Sequence, residues 1–162
     1  MADIEPATVA DVPDILSFIR ALAEYEHLAE HVVATEDALR ASLFGPHPAA
    51  EVVFVREGDE RVGFALFFET YSTFLGRKGL YLEDLFVKPE YRGRGHGRAL
   101  LVHLSQEAVA RGCGRFEWAA LEWNTPAIGF YEKLGAVRLT EWRTFRLAGE
   151  SLEALARLPQ RG

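Results

Sequence analysis

The sequence predicts an α/β layer fold, a mixed central β-sheet flanked by helices. Apolar residues recur at helical spacing before residue 26 and again after residue 97. Runs rich in β-branched and aromatic residues crowd into 51–89, punctuated by a Gly58-Asp59 turn. Beyond Pro89 helical and strand patterns alternate, the order that builds layered α/β domains. At 162 residues the chain is expected to form one domain, 1–162, with material for a sizeable core.

Taken in order, Thr8 is the expected cap of a first helix carrying Ile15, Leu16, Phe18, Ile19, Leu22 and Ala23 and ending near Tyr25 or Glu26. Thr35 caps a second, short helix through Leu39 and Leu43, which the phrase FGPHP ends. EVVFVREGDERVGFALFFETY reads as two strands around Gly58-Asp59, and LYLEDLFVKP as a third closed by Pro89. Gly97–Arg111 is a helix with Leu100, Leu101, Leu104 and Ala108 on one face. Arg115–Leu121 follows as a strand. Asn124-Thr125-Pro126 opens another helix, stopped by Gly135, and Val137–Leu147 is expected to be the closing strand.

Composition narrows the function classes. Hydrophobic content of 49% and charged content of 26% are those of a globular protein. No stretch of about 18 apolar residues suggests a membrane span. The acidic start, MADIEPATVAD, is unlike a secretory signal, and the single Cys113 excludes an internal disulfide framework, so a cytoplasmic protein is expected. The net charge of −6 is uneven: residues 1–60 carry −10 and residues 61–162 carry +4. Nucleic acid is an unfavoured partner for such a chain. An acidic half beside a basic loop suits a cationic substrate and an anionic cofactor.

The basic loop is YRGRGHGRALL, Tyr91–Leu101. It leads from a strand into a helix, where unpaired N–H groups converge, glycines let a ligand approach, and Arg92, Arg94 and Arg98 add charge. This is an anion site suited to phosphates. Its spacing is neither the dinucleotide fingerprint, since position 98 is arginine, nor a Walker loop. It fits R-x-x-G-x-G through Arg92, Gly95 and Gly97. In WNTPAIGFYEKLGA, Asn124 and Tyr131 stand seven residues apart, about two helical turns, and share a face. In YLEDLFV, Glu83 and Asp84 interrupt an apolar strand, and alternation sends them to opposite faces.

The R-x-x-G-x-G loop and the Asn-to-Tyr segment resemble the cofactor-binding segments of the GNAT superfamily of N-acetyltransferases. IRALAEYEHLAEHV, FGPHP, LYLEDLFV, YRGRGHG, LSQEA and EWNTPAIGFYEKLGA together are similar to its spermidine/spermine (diamine) and thialysine N-acetyltransferases, from about Ile4 to Leu158. The resemblance implies acetyl-CoA as donor, a small cationic primary amine as acceptor, no metal, and a homodimer. It implies that Leu85, Phe86 and Val87 meet the pantetheine arm. Arg92, Gly93, Arg94, Gly95, His96, Gly97 and Arg98 would wrap the diphosphate, with Asn124, Thr125, Pro126 and Ala127 lining the other side. Tyr131 would sit at the thioester. The acceptor would meet Tyr25, Glu26, Glu83, Asp84, Glu117, Trp118 and Ala119.

Two proton transfers then need owners. Freeing a lysine-like amine, pKa near 10.4, at pH 7 costs roughly 4–5 kcal/mol. Glu83, directly or through water, is the candidate base, Tyr131 the candidate acid for the leaving sulfur, and Asp84 a binding group. Strand N–H groups near Leu85 and Phe86 are candidate oxyanion donors. An acceptor amino group on a protein, and a CoA-binding module without catalysis, are the alternatives. HLAEH, His27–His31, fits a zinc-peptidase pattern with no clear third ligand, and Cys113 lies in a Gly-Cys-Gly turn without a base beside it.

Overall fold

The computed structural model describes residues 2–161. The chain divides into two compact units, Met1–Leu121 and Glu122–Gly162. The first holds a five-stranded mixed sheet. Strands β1 (Asp3–Pro6), β2 (Glu51–Glu57), β3 (Glu60–Ser72) and β4 (Arg77–Val87) are antiparallel neighbours in that order, and β5 (Phe116–Trp118) joins β4 in parallel. Helices α1 (Val12–Tyr25) and α2 (Glu36–Phe44) connect β1 to β2, and α3 (His96–Ala110) connects β4 to β5.

Alternation along the strands splits the core into two layers. Phe54, Phe64 and Phe86 form one cross-strand row. Phe18 of α1 packs on all three, with ring centroids at 5.8, 5.2 and 6.4 Å. Val12 and Ile15 of α1 and Leu39 and Leu43 of α2 complete this cluster. Alpha3 packs against β3 and β4, burying Leu100, Leu101, Leu104 and Ala108 as its spacing foretold. Gly58, at φ 61°, makes the tight turn that pairs Glu57 with Glu60.

Charged groups fasten the rim. Arg61 on β3 donates to Glu5, Asp11 and Asp14 at 2.8, 2.7 and 2.9 Å, tying β1 and the start of α1 to the sheet. Arg111, just past α3, bonds both Glu51 oxygens at 2.6 and 3.0 Å.

Several expectations need revision. Thr8 caps a single 3₁₀ turn (Val9–Asp11) with Asp11 bonding back to its N–H at 2.7 Å, and Asp11 then precedes α1. Thr35 caps α2 as expected, accepting from the Ala38 N–H at 3.2 Å. Beta1 is an additional strand, and β5 spans three residues rather than seven. In the second unit α4 (Thr125–Lys133) carries Pro126 in its first turn and ends at Gly135, φ 96°. Val137–Leu147 is not a strand but turn and irregular backbone, with Val137, Trp142 and Phe145 exposed. A strand exists only through hydrogen bonds to a neighbour, and an alternating pattern does not supply one. A further helix, α5 (Gly149–Ala156), follows.

Candidate active site

The strand LYLEDLFV is β4, and its geometry is set by a bulge. Leu66 pairs with Asp84 and Phe67 with Leu82, leaving Glu83 as an extra residue in the ladder. The β5 ladder reaches only Leu82↔Trp118, while β4 continues to Val87. Among the described residues no strand pairs with that edge of β4 from Glu83 to Val87. Along Leu85, Phe86 and Val87, where the resemblance placed an extended cofactor arm, that edge therefore lacks a strand partner, though the Val87 carbonyl accepts from Arg92 at 2.9 Å.

Around the bulge three carboxylates gather. Burial and the charges of Glu83 and Glu26 raise Asp84 from 3.8 to about 6. Burial also raises Glu26, at the end of α1. Glu83 is exposed and lies on the side of Tyr81, whose hydroxyl is raised by burial and then by Glu83 and Glu117. Alternation predicts opposite faces for the two adjacent acids, but the bulge breaks it: Tyr81 pairs with Phe68 and Asp84 with Leu66, two residues apart on β3, so Tyr81, Glu83 and Asp84 share one face. No side chain among the described residues bonds to the carboxylates of Glu26, Glu83 or Asp84. A half-buried carboxylate without a partner is costly to ionise, and a cation relieves that cost. Glu117, by contrast, is held by Arg115 at 2.7 Å. Trp118 lies tilted against Phe116, ring centroids 5.0 Å apart, and Ala119 lies exposed just beyond β5. Tyr25 is covered by the Arg92 guanidinium, 4.7 Å from its ring centre.

The glycine loop leads into α3. Gly93 and Gly95 have φ of 76° and 89°, and a Cβ built on either meets nothing within 4 Å. Glycine is required there by conformation, and the space above the loop is open. Gly95 immediately precedes the fifteen-residue helix α3, so α3's first N–H groups face that space with the positive end of the helix dipole. These features fit a diphosphate. The charge differs from expectation. Arg94 is paired with Glu57 at 2.6 Å, and Lys88 with Glu60 at 2.7 Å. Arg92 donates to the Val87 carbonyl at 2.9 Å and lies over Tyr25 and Phe86. Among the described residues Arg98 makes no ion pair, and it is exposed. Backbone N–H groups and Arg98, rather than three free arginines, are the loop's ready donors. His96 is buried at the start of α3, 2.6 Å from Glu57, a partner that sequence spacing does not reveal.

Asn124 stands just ahead of α4, followed by Thr125, Pro126 and Ala127 in its first turn, and Tyr131 lies within it beside Phe130 at 5.6 Å. Asn124 and Tyr131 thus keep their two-turn spacing within the second unit. His27 and His31 do not share a helix face: α1 ends at Tyr25, and His27 has φ 59°. A recess of about 490 Å³ lies elsewhere, between α1 and the β2–β3 hairpin. Its cations are committed, Arg61 to three carboxylates and Lys88 to Glu60, so it reads as a solvated structural groove.

Known proteins bear on this geometry. The acetyltransferase (GNAT) family model matches residues 15–136. A thialysine N-epsilon-acetyltransferase from Sus scrofa is 42% identical over 164 residues, covering 94% of this chain and 96% of its own length. An L-ornithine N5-acetyltransferase from Arabidopsis thaliana is 34% identical, covering 96% of this chain and 88% of its own. Among solved structures, an integron cassette protein from the mobile metagenome of V. cholerae superposes with a TM-score of 0.82 at 27% identity, over 97% of this chain and 98% of that one. The relatives support amine N-acetylation. No helix among the described residues is long and apolar enough to cross a membrane. By family model, relatives and fold together, the chain belongs to the acetyltransferase (GNAT) family, acyltransferases that use acetyl-CoA as acetyl donor.

Proposed function

We propose that this chain, as one acetyltransferase domain over 1–162, acetylates a primary amine of a small cationic acceptor such as a polyamine, a diamine or a thialysine-like amino acid. The observation that carries the reading is the set of unpartnered carboxylates at the β4 bulge, Glu26, Glu83 and Asp84, with Asp84 raised to about 6. A compact cation meets three acidic groups there, whereas a neutral or anionic acceptor leaves them uncompensated. Tyr25 and the segment Glu117–Ala119 are the further acceptor contacts in this reading.

The donor supplies an acetyl thioester when bound. In this reading Gly93–Arg98 hold its diphosphate, and Leu85–Val87 hold its extended arm along the strand edge that β5 leaves without a strand partner. Asn124–Ala127 flank it by resemblance. The ammonium docks against Glu26, Glu83 and Asp84. Its proton passes to the Glu83/Asp84 pair, directly or through water. The base role is shared with Asp84, because burial falls on Asp84 and raises it to about 6, which makes it a stronger base than a free aspartate. Tyr131 Oη gives up a proton to the departing sulfur, a role that rests on resemblance and on its spacing from Asn124. A homodimer is part of the same reading, supported by resemblance and by the exposed Val137, Trp142 and Phe145. A cytoplasmic setting fits the lone Cys113.

The test is thiol release from acetyl-CoA by purified protein against a panel of amines. Diamines, polyamines and thialysine-like amino acids should be turned over, and neutral or anionic amines should be poor. Turnover confined to protein amino groups, or none with any amine, would overturn the reading.

A further inference from the structure

We infer that Glu57 is a positioning residue for the glycine loop: from the end of β2 its carboxylate grips the residues on either side of Gly95 and holds the turn that presents the first N–H groups of α3. The inference rests on reading Gly93–Arg98 as the diphosphate-binding loop.

The grip is bidentate and long-range. Arg94 Nη1 donates to Glu57 Oε1 at 2.6 Å, across 37 residues of sequence. His96 Nε2 lies 2.6 Å from Glu57 Oε2, across 39 residues. Glu57 is an ionised acceptor, held below its ordinary carboxylate value first by His96 and also by Arg94, so Nε2 carries the bonding proton. Arg94 is braced further, donating to the Glu90 carbonyl at 3.2 Å and lying over the Tyr91 ring at 5.0 Å. The other end of the same hairpin turn holds the loop's entry. Glu60 takes Lys88 at 2.7 Å and the Tyr91 hydroxyl at 2.6 Å. Two carboxylates flanking Gly58-Asp59 thus fix the segment from Lys88 to His96.

The loop needs such a device. Gly93 and Gly95 sit at positive φ with open space where a side chain would be. Glycine has more conformational freedom to lose than any other residue, and no Cβ packing restrains these two. Holding both neighbours of Gly95 removes that freedom before a ligand arrives, which strengthens binding without any new contact to the ligand. The histidine itself points the same way. His96 is only 7% exposed, and its Nδ1 is buried without a partner among the described residues. An apolar side chain would fill that place without an orphaned nitrogen, so what the ring contributes is its Nε2 bond to Glu57.

The experiment compares Glu57→Ala, Glu57→Gln, the double variant Glu57→Ala/His96→Leu, and Gly95→Asp in the full chain. Acetyl-CoA affinity is read by calorimetry, kinetics by amine turnover, and folding by thermal melting. Glu57→Ala should weaken acetyl-CoA binding and raise its KM by about tenfold, with kcat at saturation within about twofold of the parent. Glu57→Gln keeps the side-chain volume and should show a smaller loss of the same kind. Adding His96→Leu to Glu57→Ala should cost little more, because both act through one tether. Unchanged or tighter acetyl-CoA binding in folded Glu57→Ala or Glu57→Gln, beside a weakened Gly95→Asp, overturns the role of Glu57 alone. Parent-like binding by folded Gly95→Asp overturns the loop assignment and this inference with it.

Discussion

Replacing Asp84 by asparagine keeps the shape of the side chain and deletes its charge. Asp84 is half-buried, its carboxylate has no hydrogen bond to the described residues, and it faces the field of Glu83 and Glu26. Its folded-state pKa is about 6 against 3.8 for the free group. A raised acid pKa means that the folded state holds the proton more tightly than the unfolded chain. Its favourable contribution is complete below about pH 4 and is lost as pH rises through about 6. Two units at about 1.4 kcal/mol each make the ionised group cost about 3 kcal/mol of stability above that range. Asparagine escapes the cost. Asp84→Asn should therefore match the parent near pH 3.5 and exceed it by about 2–3 kcal/mol at pH 8, a gain in Tm on the order of 5–10 °C for a chain of this size. Urea or thermal unfolding of both proteins from pH 3.5 to 8, without amine, measures the difference. The same substitution should raise KM for a cationic amine, since a stabilising change here removes the group that receives the cation. A stability difference that does not grow with pH, or that favours the parent at pH 8, would refute the reasoning.

Tyr131→Phe keeps the ring and removes the proton donor, and should lower kcat by roughly 10²–10⁴-fold with acetyl-CoA affinity largely kept. Single-turnover kinetics checks it, and full activity in the chemical step would remove Tyr131 as the acid. Light scattering should give twice the single-chain mass of 18.1 kDa, and a monomer at working concentrations would count against the homodimer.

Long periodic elements were legible because local pattern and burial agree in them. Alpha1 carries Ile15, Leu16 and Phe18 inward, and α3 does the same with Leu100, Leu101 and Leu104, as their spacing requires. Short or partner-dependent elements were not. Beta1 has four residues, too few for a period to show, and exists because β2 offers it an edge. Val137–Leu147 carries a strand's alternation without a strand's hydrogen bonds. Alpha5 carries a local signal as well, Leu152 and Leu155 at helical spacing, and Ser151 bonds back to the Ala148 carbonyl at 2.8 Å.

The candidate site divides in the same way. By itself the sequence determined the residue types and the local geometry they impose: glycines where the backbone must turn left-handed, a helix start behind them, two adjacent acids on one strand. These follow from dihedral freedom and periodicity, which act over a few residues. Only the tertiary structure decided which charges are free. Arg94 reads as a phosphate ligand until Glu57 is brought beside it from the β2–β3 hairpin. Asp84 reads as a binding group beside the base Glu83 until a bulge turns both acids to one face and Glu26, at the end of α1, is brought close to Asp84. Electrostatic roles depend on distance and burial, and those are set by residues dozens of positions apart whose meeting no local pattern encodes.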